Sequence, residues 1–396
     1  MAAKIIVLGG SFGGLTVAFE LKRHLGDKAD VTVISDLDRF IFIPSLPWVS
    51  MGWRRPDDIT LPLQKILKPK GIEFIHQEAE TVDAETSEVV TPEGRFGYDY
   101  LVIATGPALV FSAVPGLGPE GGYTECIFTL DQAVRCHEKW VEFLKDPGPI
   151  VTGSVQGVSC FGPPYEYAFE VDAELRKRKL RHKAPITFIT SEPYVGHFGI
   201  GGLGKSRRIM EDEFAEREIN VIANTAVDEF KENEVVLKDG TKIPFKLSMF
   251  APPMSGVKAV SHLGNPKGFI PVDENYRHKE ITNIYSVGVA VAMAPPEQTP
   301  VPTGLPKTGY MTVKMAKDAS TTLSAEILGK APPQTEPVDV VCLMDMGNTA
   351  ALMKATPVIP PRQESVLKEG IYFKWLKAGF EKYYLWKISR GLTQLP

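Results

Sequence analysis

The chain has 396 residues, 43% of them hydrophobic and 23% charged, with a formal net charge of −4. That length accommodates two or three domains of about 150 residues each, no apolar run reaches the ~20 residues that span a bilayer as a helix, and the charge gives no case for a nucleic-acid partner. Four cysteines without a Cys-x-x-Cys pair are too few and too scattered for a disulfide scaffold or zinc ribbon, so no metal site is expected and buried thiols are the plain reading.

Lys4–Leu8 reads as a strand, Gly9-Gly10-Ser11-Phe12-Gly13-Gly14 as a glycine turn, and Val17–Leu25 as a helix. With a strand expected this early, no secretory leader is expected. A second strand follows at Asp30–Ser35. Strand, glycine turn and helix open a βαβ unit, in which a pyrophosphate meets the helix N-terminus. Spaced as Gly9-x-Ser11-x-x-Gly14, the fingerprint has serine in its middle place, with Gly10 and Gly13 supplying backbone freedom. Ser35 stands where the acidic residue for a ribose is expected, and Asp36 follows it.

A hairpin is expected from Glu88 through Pro92-Glu93-Gly94-Arg95, feeding a buried strand that ends in Ala104-Thr105-Gly106. The pattern then repeats. A strand runs into a glycine turn at Gly148–Gly153, a helix covers Tyr165–Arg178, a strand follows at Ile186–Thr190, and Glu234–Gly240 leads into Lys246–Pro252. Glu88 follows Gly9 by 79 positions and Glu234 follows Gly153 by 81, which indicates a duplicated dinucleotide-binding unit. Asn283–Gly288 returns to a Rossmann-like strand, followed by a loop with Pro295, Pro296, Pro300 and Pro302 and a helix beginning near Pro306.

The second glycine turn departs from the first. Val155 and Gln156 fill it, and Pro163-Pro164 remove two N–H donors where a helix should begin. A nicotinamide dinucleotide fits such a turn poorly.

Between 368 and 390, six cations stand against two anions, and Tyr372, Phe373, Trp375, Phe380, Tyr383, Tyr384 and Trp386 interleave with lysines. As a helix, this stretch puts Phe373, Leu376, Phe380 and Tyr384 on one side, suited to a membrane interface or to docking on the core. The expected fold class is α/β: two tandem Rossmann-like dinucleotide-binding domains plus a C-terminal amphipathic membrane-interface region. Residues 1–110 and 265–330 form the first domain, 111–264 the second and 331–396 the C-terminal region.

Gly9–Gly14, Ala104–Gly106 and Asn283–Gly288 together resemble the FAD-contacting segments of the pyridine-nucleotide-disulfide oxidoreductase superfamily, with Val289 where the third segment usually carries Asp. A narrower resemblance runs nearly the full length. Cys160-Phe161-Gly162-Pro163-Pro164-Tyr165-Glu166-Tyr167-Ala168, Thr190–His197, Thr299–Gly309 and Phe380–Tyr384 are similar to signature blocks of the sulfide:quinone oxidoreductase family.

The resemblance implies FAD as cofactor, contacted by Gly9, Gly10, Ser11, Gly13, Gly14, Ser35, Asp36, Ala104, Thr105, Gly106, Gly288, Gly304 and Lys307. It implies a redox bridge between Cys160 and Cys342, attacked by sulfide, with Glu166 as base or relay and His197 as a proton donor. Lys307 would stabilise reduced anionic FAD. A quinone of ubiquinone or menaquinone type would be the acceptor, contacted by Val341, Phe380 and Tyr384. It further implies a monotopic protein of a prokaryotic cell membrane, held to the lipid surface by its C-terminal helix; a homo-oligomer is expected. Phe128 stands where the family carries a third cysteine and Gln132 where a histidine is common, which leaves Cys126 as the candidate for the third thiol and Cys136 as structural. The alternatives are the flavoprotein subunit of a flavocytochrome c sulfide dehydrogenase, a degenerate sensor and a type II NADH dehydrogenase-like quinone reductase.

Overall fold

A computed structural model describes residues 2–393; the last three residues of the expected 331–396 region lie outside the described residues. The first apolar run forms β1 (Ala3–Leu8), followed by α1 (Phe12–Leu25), β2 (Ala29–Ser35), β3 (Glu73–His76) and β4 (Tyr100–Ile103). These strands are parallel; β1, β2 and β4 are mostly buried, as their Val/Ile/Leu-rich runs require, and β3 lies at the sheet's exposed edge. α1 begins five residues before the expected Val17. Glycines at 13 and 14 weaken intrinsic helix preference, but close packing demands them: a Cβ on Gly14 would lie 1.8 Å from the Gly9 carbonyl oxygen.

The second unit consists of α2 (Leu130–Phe143), β5 (Ile150–Ser154), α3 (Gly162–Lys177), β6 (Ile186–Ile189), β7 (Ile219–Ile222) and β8 (Leu247–Ala251). α3 starts at Gly162 rather than Tyr165, because first-turn prolines forgo only N–H groups that have no intrahelical acceptor. β9 (Ile284–Ser286) then joins the first sheet, and α4 (Gly309–Ile327) packs on α1. Strand order is β9-β4-β1-β2-β3 in the first sheet and β8-β5-β6-β7 in the second. Apart from β9 the two orders match, and each unit carries a three-stranded antiparallel meander just before its last sequential strand, β4 or β8. Pro107–Leu109 pairs antiparallel with Met254–Gly256 between the two units.

The chain ends in the antiparallel meander β10 (Val340–Asp345), β11 (Ala350–Thr356) and β12 (Glu364–Glu369), and then α5 (Ile371–Ser389). Phe373, Lys377, Glu381, Tyr384 and Ile388 of α5 face inward, while Ile371, Tyr372, Trp375 and Trp386 face outward. Leu376 corrects the expected apolar side: it is 53% exposed and belongs to the outer face. Lys377 takes the inward place because a buried acid receives it. Among the described residues no helix is long and apolar enough to cross a membrane.

Candidate active site

The first glycine turn bends sharply at Gly9, where φ is +115° and a Cβ would fall 2.4 Å from the Ala104 carbonyl oxygen. A Cβ on Gly13 would meet Thr312 and Val287 at 3.1 Å and Ala104 at 3.6 Å. The Gly9–Gly14 turn, the Ala104–Gly106 turn and the end of β9 therefore converge, with Val287 N–H donating to the Ile103 carbonyl at 3.0 Å. Gly288 follows with φ +71°. Ser11 is the N-cap of α1, yet its side chain makes no capping bond, so the first-turn amides remain suited to an anionic ligand. Ser35 is buried under this turn and Asp36 is exposed beyond it. Glycine backbone, helix N-terminus and converging turns fit a dinucleotide pyrophosphate.

Lys307 lies just before α4. Its ammonium donates to the Val291 carbonyl at 2.6 Å and sits 4.7 Å from the centre of the Phe269 ring. Burial lowers its pKa to about 8.

The second glycine turn is closed by the protein itself. Gly157 N–H donates to the Pro302 carbonyl and Gly304 N–H to the Val158 carbonyl, both at 2.7 Å. Gln156 holds both backbone groups of Val227 at 3.0 Å. A Cβ on Gly304 would lie 2.7 Å from the Ser159 Cβ, so the proline loop and the turn are in intimate contact. The Gly157 amide, which would approach a second dinucleotide, is thus already paired. Glu192, shortly after β6, is likewise turned inward: it accepts from Phe198 N–H at 2.6 Å and from the Tyr165 and Thr190 hydroxyls at 2.8 Å. Burial raises its pKa to about 7.

Cys160 lies two residues before α3 and Cys342 on β10. Both are free thiols, half-buried at the surface but densely surrounded by protein. They are electrostatic neighbours. Burial, then the Cys342 charge and the Glu166 carboxylate, push the Cys160 thiol up to about 12. Burial and Glu166 raise Cys342 to about 12 as well, while the Lys377 ammonium pulls it back.

Glu166 is not a helix cap. It is buried in α3, accepts from Lys377 Nζ at 2.5 Å and accepts the Asp345 N–H at 2.7 Å. Burial raises its carboxyl, Lys377 opposes that, and the net direction is up. Asp345 is itself buried, accepting from the Trp48 indole at 3.0 Å and pairing with Lys374 at 3.5 Å. Sequence reading missed Lys377, Asp345 and Lys374. The available signal was a lysine at the inward spacing of an aromatic helix.

Cys126, the candidate third thiol, lies apart from the Cys160–Cys342 pair. It is fully buried, its thiol is raised to about 12 chiefly by burial, and the neighbouring thiol is Cys136, whereas the sulfur neighbour of Cys160 is Cys342. Cys136 also contacts the buried Tyr167 hydroxyl. His197 is buried, with Nε2 bonded to the more exposed Glu297 at 2.8 Å. Tyr384 is enclosed by Phe12, Phe40 and Phe42, with ring centroids 5.0 to 6.0 Å away, whereas Phe380 beside it and Val341 on β10 are only half-buried.

Two tandem dinucleotide folds, one open and one closed by its own chain, with two thiols at the closed one, define a two-dinucleotide-fold oxidoreductase. The chain belongs to the pyridine nucleotide-disulphide oxidoreductase family, whose model matches residues 3–319; membership implies a flavin cofactor. Among its relatives is a sulfide-quinone reductase of Aquifex aeolicus, 42% identical over 99% of this chain and 92% of that protein. A mitochondrial sulfide:quinone oxidoreductase of Mus musculus is 26% identical over 72% of this chain and 65% of its own length. The crystal structure of the Aquifex aeolicus sulfide:quinone oxidoreductase superposes with a TM-score of 0.95, covering 99% of this chain and 92% of that one. An NDH2 structure from Plasmodium falciparum, at 17% identity and TM-score 0.77, shares the fold; it covers 98% of this chain and 96% of that one.

Proposed function

We propose that this protein is a sulfide:quinone oxidoreductase, which oxidises sulfide at a Cys160–Cys342 centre and passes the electrons through FAD to a membrane quinone. The observation that carries this reading is that Cys342, from a distant part of the chain, lies near enough to act on the Cys160 thiol, beside Glu166 and a second dinucleotide turn packed against the proline loop. The names of the similar Aquifex and mouse proteins support it.

Bound FAD would accept two electrons from the sulfur side and release two to the quinone. Gly9, Gly10, Ser11, Gly13 and Gly14 suit its pyrophosphate, with Ser35 and Asp36 nearest the ribose position and Ala104, Thr105, Gly106, Gly288, Gly304 and Lys307 along its flavin half. Thiols held near 12 are protonated at neutral pH and are poor nucleophiles. The attacking group is therefore hydrosulfide, and the oxidised cysteine pair is the electrophile. As HS⁻ attacks Cys160, its sulfur forms a new S–S bond, the Cys160–Cys342 bond breaks, and Cys342 leaves as thiolate. Lys377 favours that direction, since its charge lowers the Cys342 thiol. Glu166, raised by burial, is suited to accept the persulfide proton. His197, bonded to Glu297, would donate a proton on the sulfur side.

Phe380 and Val341 are the half-buried candidates to line the quinone ring, with Tyr384 behind them. The outer face of α5, with Tyr372, Trp375, Leu376 and Trp386 exposed, suits a lipid interface. Anaerobic sulfide added to the FAD-loaded protein should bleach the flavin, and decylubiquinone should restore it. Bleaching restored by a c-type cytochrome and not by the quinone would overturn the acceptor assignment.

A further inference from the structure

Helix α3 carries four buried acids, and three of them have cations. Asp172 pairs with Arg181 at 2.7 Å, Arg176 at 3.0 Å and Arg217 at 3.7 Å. Glu174 pairs with Arg178 at 3.1 Å and Lys177 at 3.2 Å. Glu166 has Lys377. Glu170 is fully enclosed, and neither of its carboxyl oxygens has a hydrogen-bond partner among the described residues.

The groups facing Glu170 come from three elements. Glu166 and Tyr167 lie on its own helix, Asp345 on β10, and Lys374 and Lys377 on α5. Their charges are already matched: Lys377 is taken by Glu166 and Lys374 by Asp345. A third carboxylate would be an unpaired charge in a site that gives it no donor, a state that proteins avoid by neutralising the group. Burial, with Asp345 and Glu166 acting in the same direction, raises Glu170 well above the ordinary carboxyl range.

This cluster lies between the two proposed half-reactions. Glu166 faces the thiols, while Lys377 stands three residues before Phe380 on α5. We propose that Glu170 is the proton store of the enzyme, holding a proton at rest and, on turning its carboxyl into hydrogen-bond reach of the adjoining Glu166, Lys377 and Asp345 cluster, giving it up for quinone reduction. This rests on the sulfide:quinone reading above, whose stoichiometry leaves one proton to be supplied. Oxidation of HS⁻ to zero-valent sulfur releases two electrons and one proton, whereas a quinone takes two electrons and two protons to become quinol. One proton travels from the sulfur to Glu166. The other leaves Glu170 as its O–H bond breaks, and the carboxylate left behind is reprotonated from solvent by way of Asp345 and Lys374, whose side chain is 27% exposed.

The test uses the FAD-loaded holoenzyme and its Glu170→Gln variant, which keeps the shape and loses the transferable proton. Under anaerobic stopped flow, sulfide should bleach the variant within about twofold of the wild-type rate, while decylubiquinone reoxidises it about tenfold more slowly or worse, increasingly so at high pH. A reduced-minus-oxidised infrared difference spectrum of the wild type should contain a protonated-carboxyl signal that Glu170→Gln removes. Reoxidation at the wild-type rate across the pH range, or a wild-type spectrum without that signal, would overturn the proton store. A wild-type protein that sulfide fails to bleach would overturn the function reading on which it rests.

Discussion

Lys377 of α5 reaches inward to bond the carboxylate of Glu166 on α3 at 2.5 Å, joining the C-terminal helix to the element that follows Cys160. Burial alone would lower the Lys377 ammonium, but Glu166 and Asp345 outweigh it and hold it charged. Removing one partner of such a pair strands the other. Lys377→Met should cost about 3 kcal/mol or more in denaturant unfolding, and Glu166→Gln in the same chain should recover part of the loss. An additive double variant would show the pair to be energetically idle.

NADH should fail as a donor. Gly157 N–H is bonded to Pro302 and the proline loop is packed on Ser159, so a pyrophosphate would have to displace the protein's own contacts at the second turn. With the Gly157 amide taken and the loop packed on the turn, NADH should bleach the flavin under anaerobic conditions at least about a hundredfold more slowly than sulfide. Gly304→Ala, which forces a methyl against Ser159, should lower stability by about 1–3 kcal/mol in thermal unfolding.

Lys307→Met should lower the flavin midpoint potential. A cation beside the reduced anionic flavin stabilises it, and a loss of about 1.4 kcal/mol corresponds to ~30 mV for a two-electron couple. The gap between wild type and variant should shrink as pH rises through about 8, where Lys307 gives up its proton. Equal potentials at pH 7 would remove Lys307 from the flavin site.

Glu192 makes stability fall with rising pH. Its folded-state pKa is raised from 4.5 to about 7, so its folded form binds the extra proton between those values. The contribution is complete below about 4.5 and is lost as pH rises through 7, amounting to about 3 kcal/mol. Urea unfolding from pH 5 to pH 8 should show that slope, and Glu192→Gln should flatten it.

Sequence made the two Rossmann-like units legible because their strands are unbroken apolar runs and their glycine turns recur at nearly equal spacing. Helix starts were read late at Phe12 and Gly162, since Gly13-Gly14 and Pro163-Pro164 weaken the local helix signal that packing overrides. Leu376 was grouped with the inward Phe373 and Tyr384 because spacing gives a helix an apolar side without saying where the partner surface ends. The Cys160–Cys342 pair entered only through family resemblance. Lys377 meets Glu166 across 211 positions, and no local pattern announces such a contact. Glu170 was invisible for the same reason, because its significance lies in partners it lacks.

The central claim, that Cys160 and Cys342 form the sulfide-oxidising centre, is tested most directly by anaerobic sulfide bleaching of FAD-loaded Cys342→Ser beside the wild type. The wild type should bleach, and the variant, without a Cys342 leaving group, should bleach at least about a hundredfold more slowly. Bleaching of the variant at the wild-type rate would contradict the account.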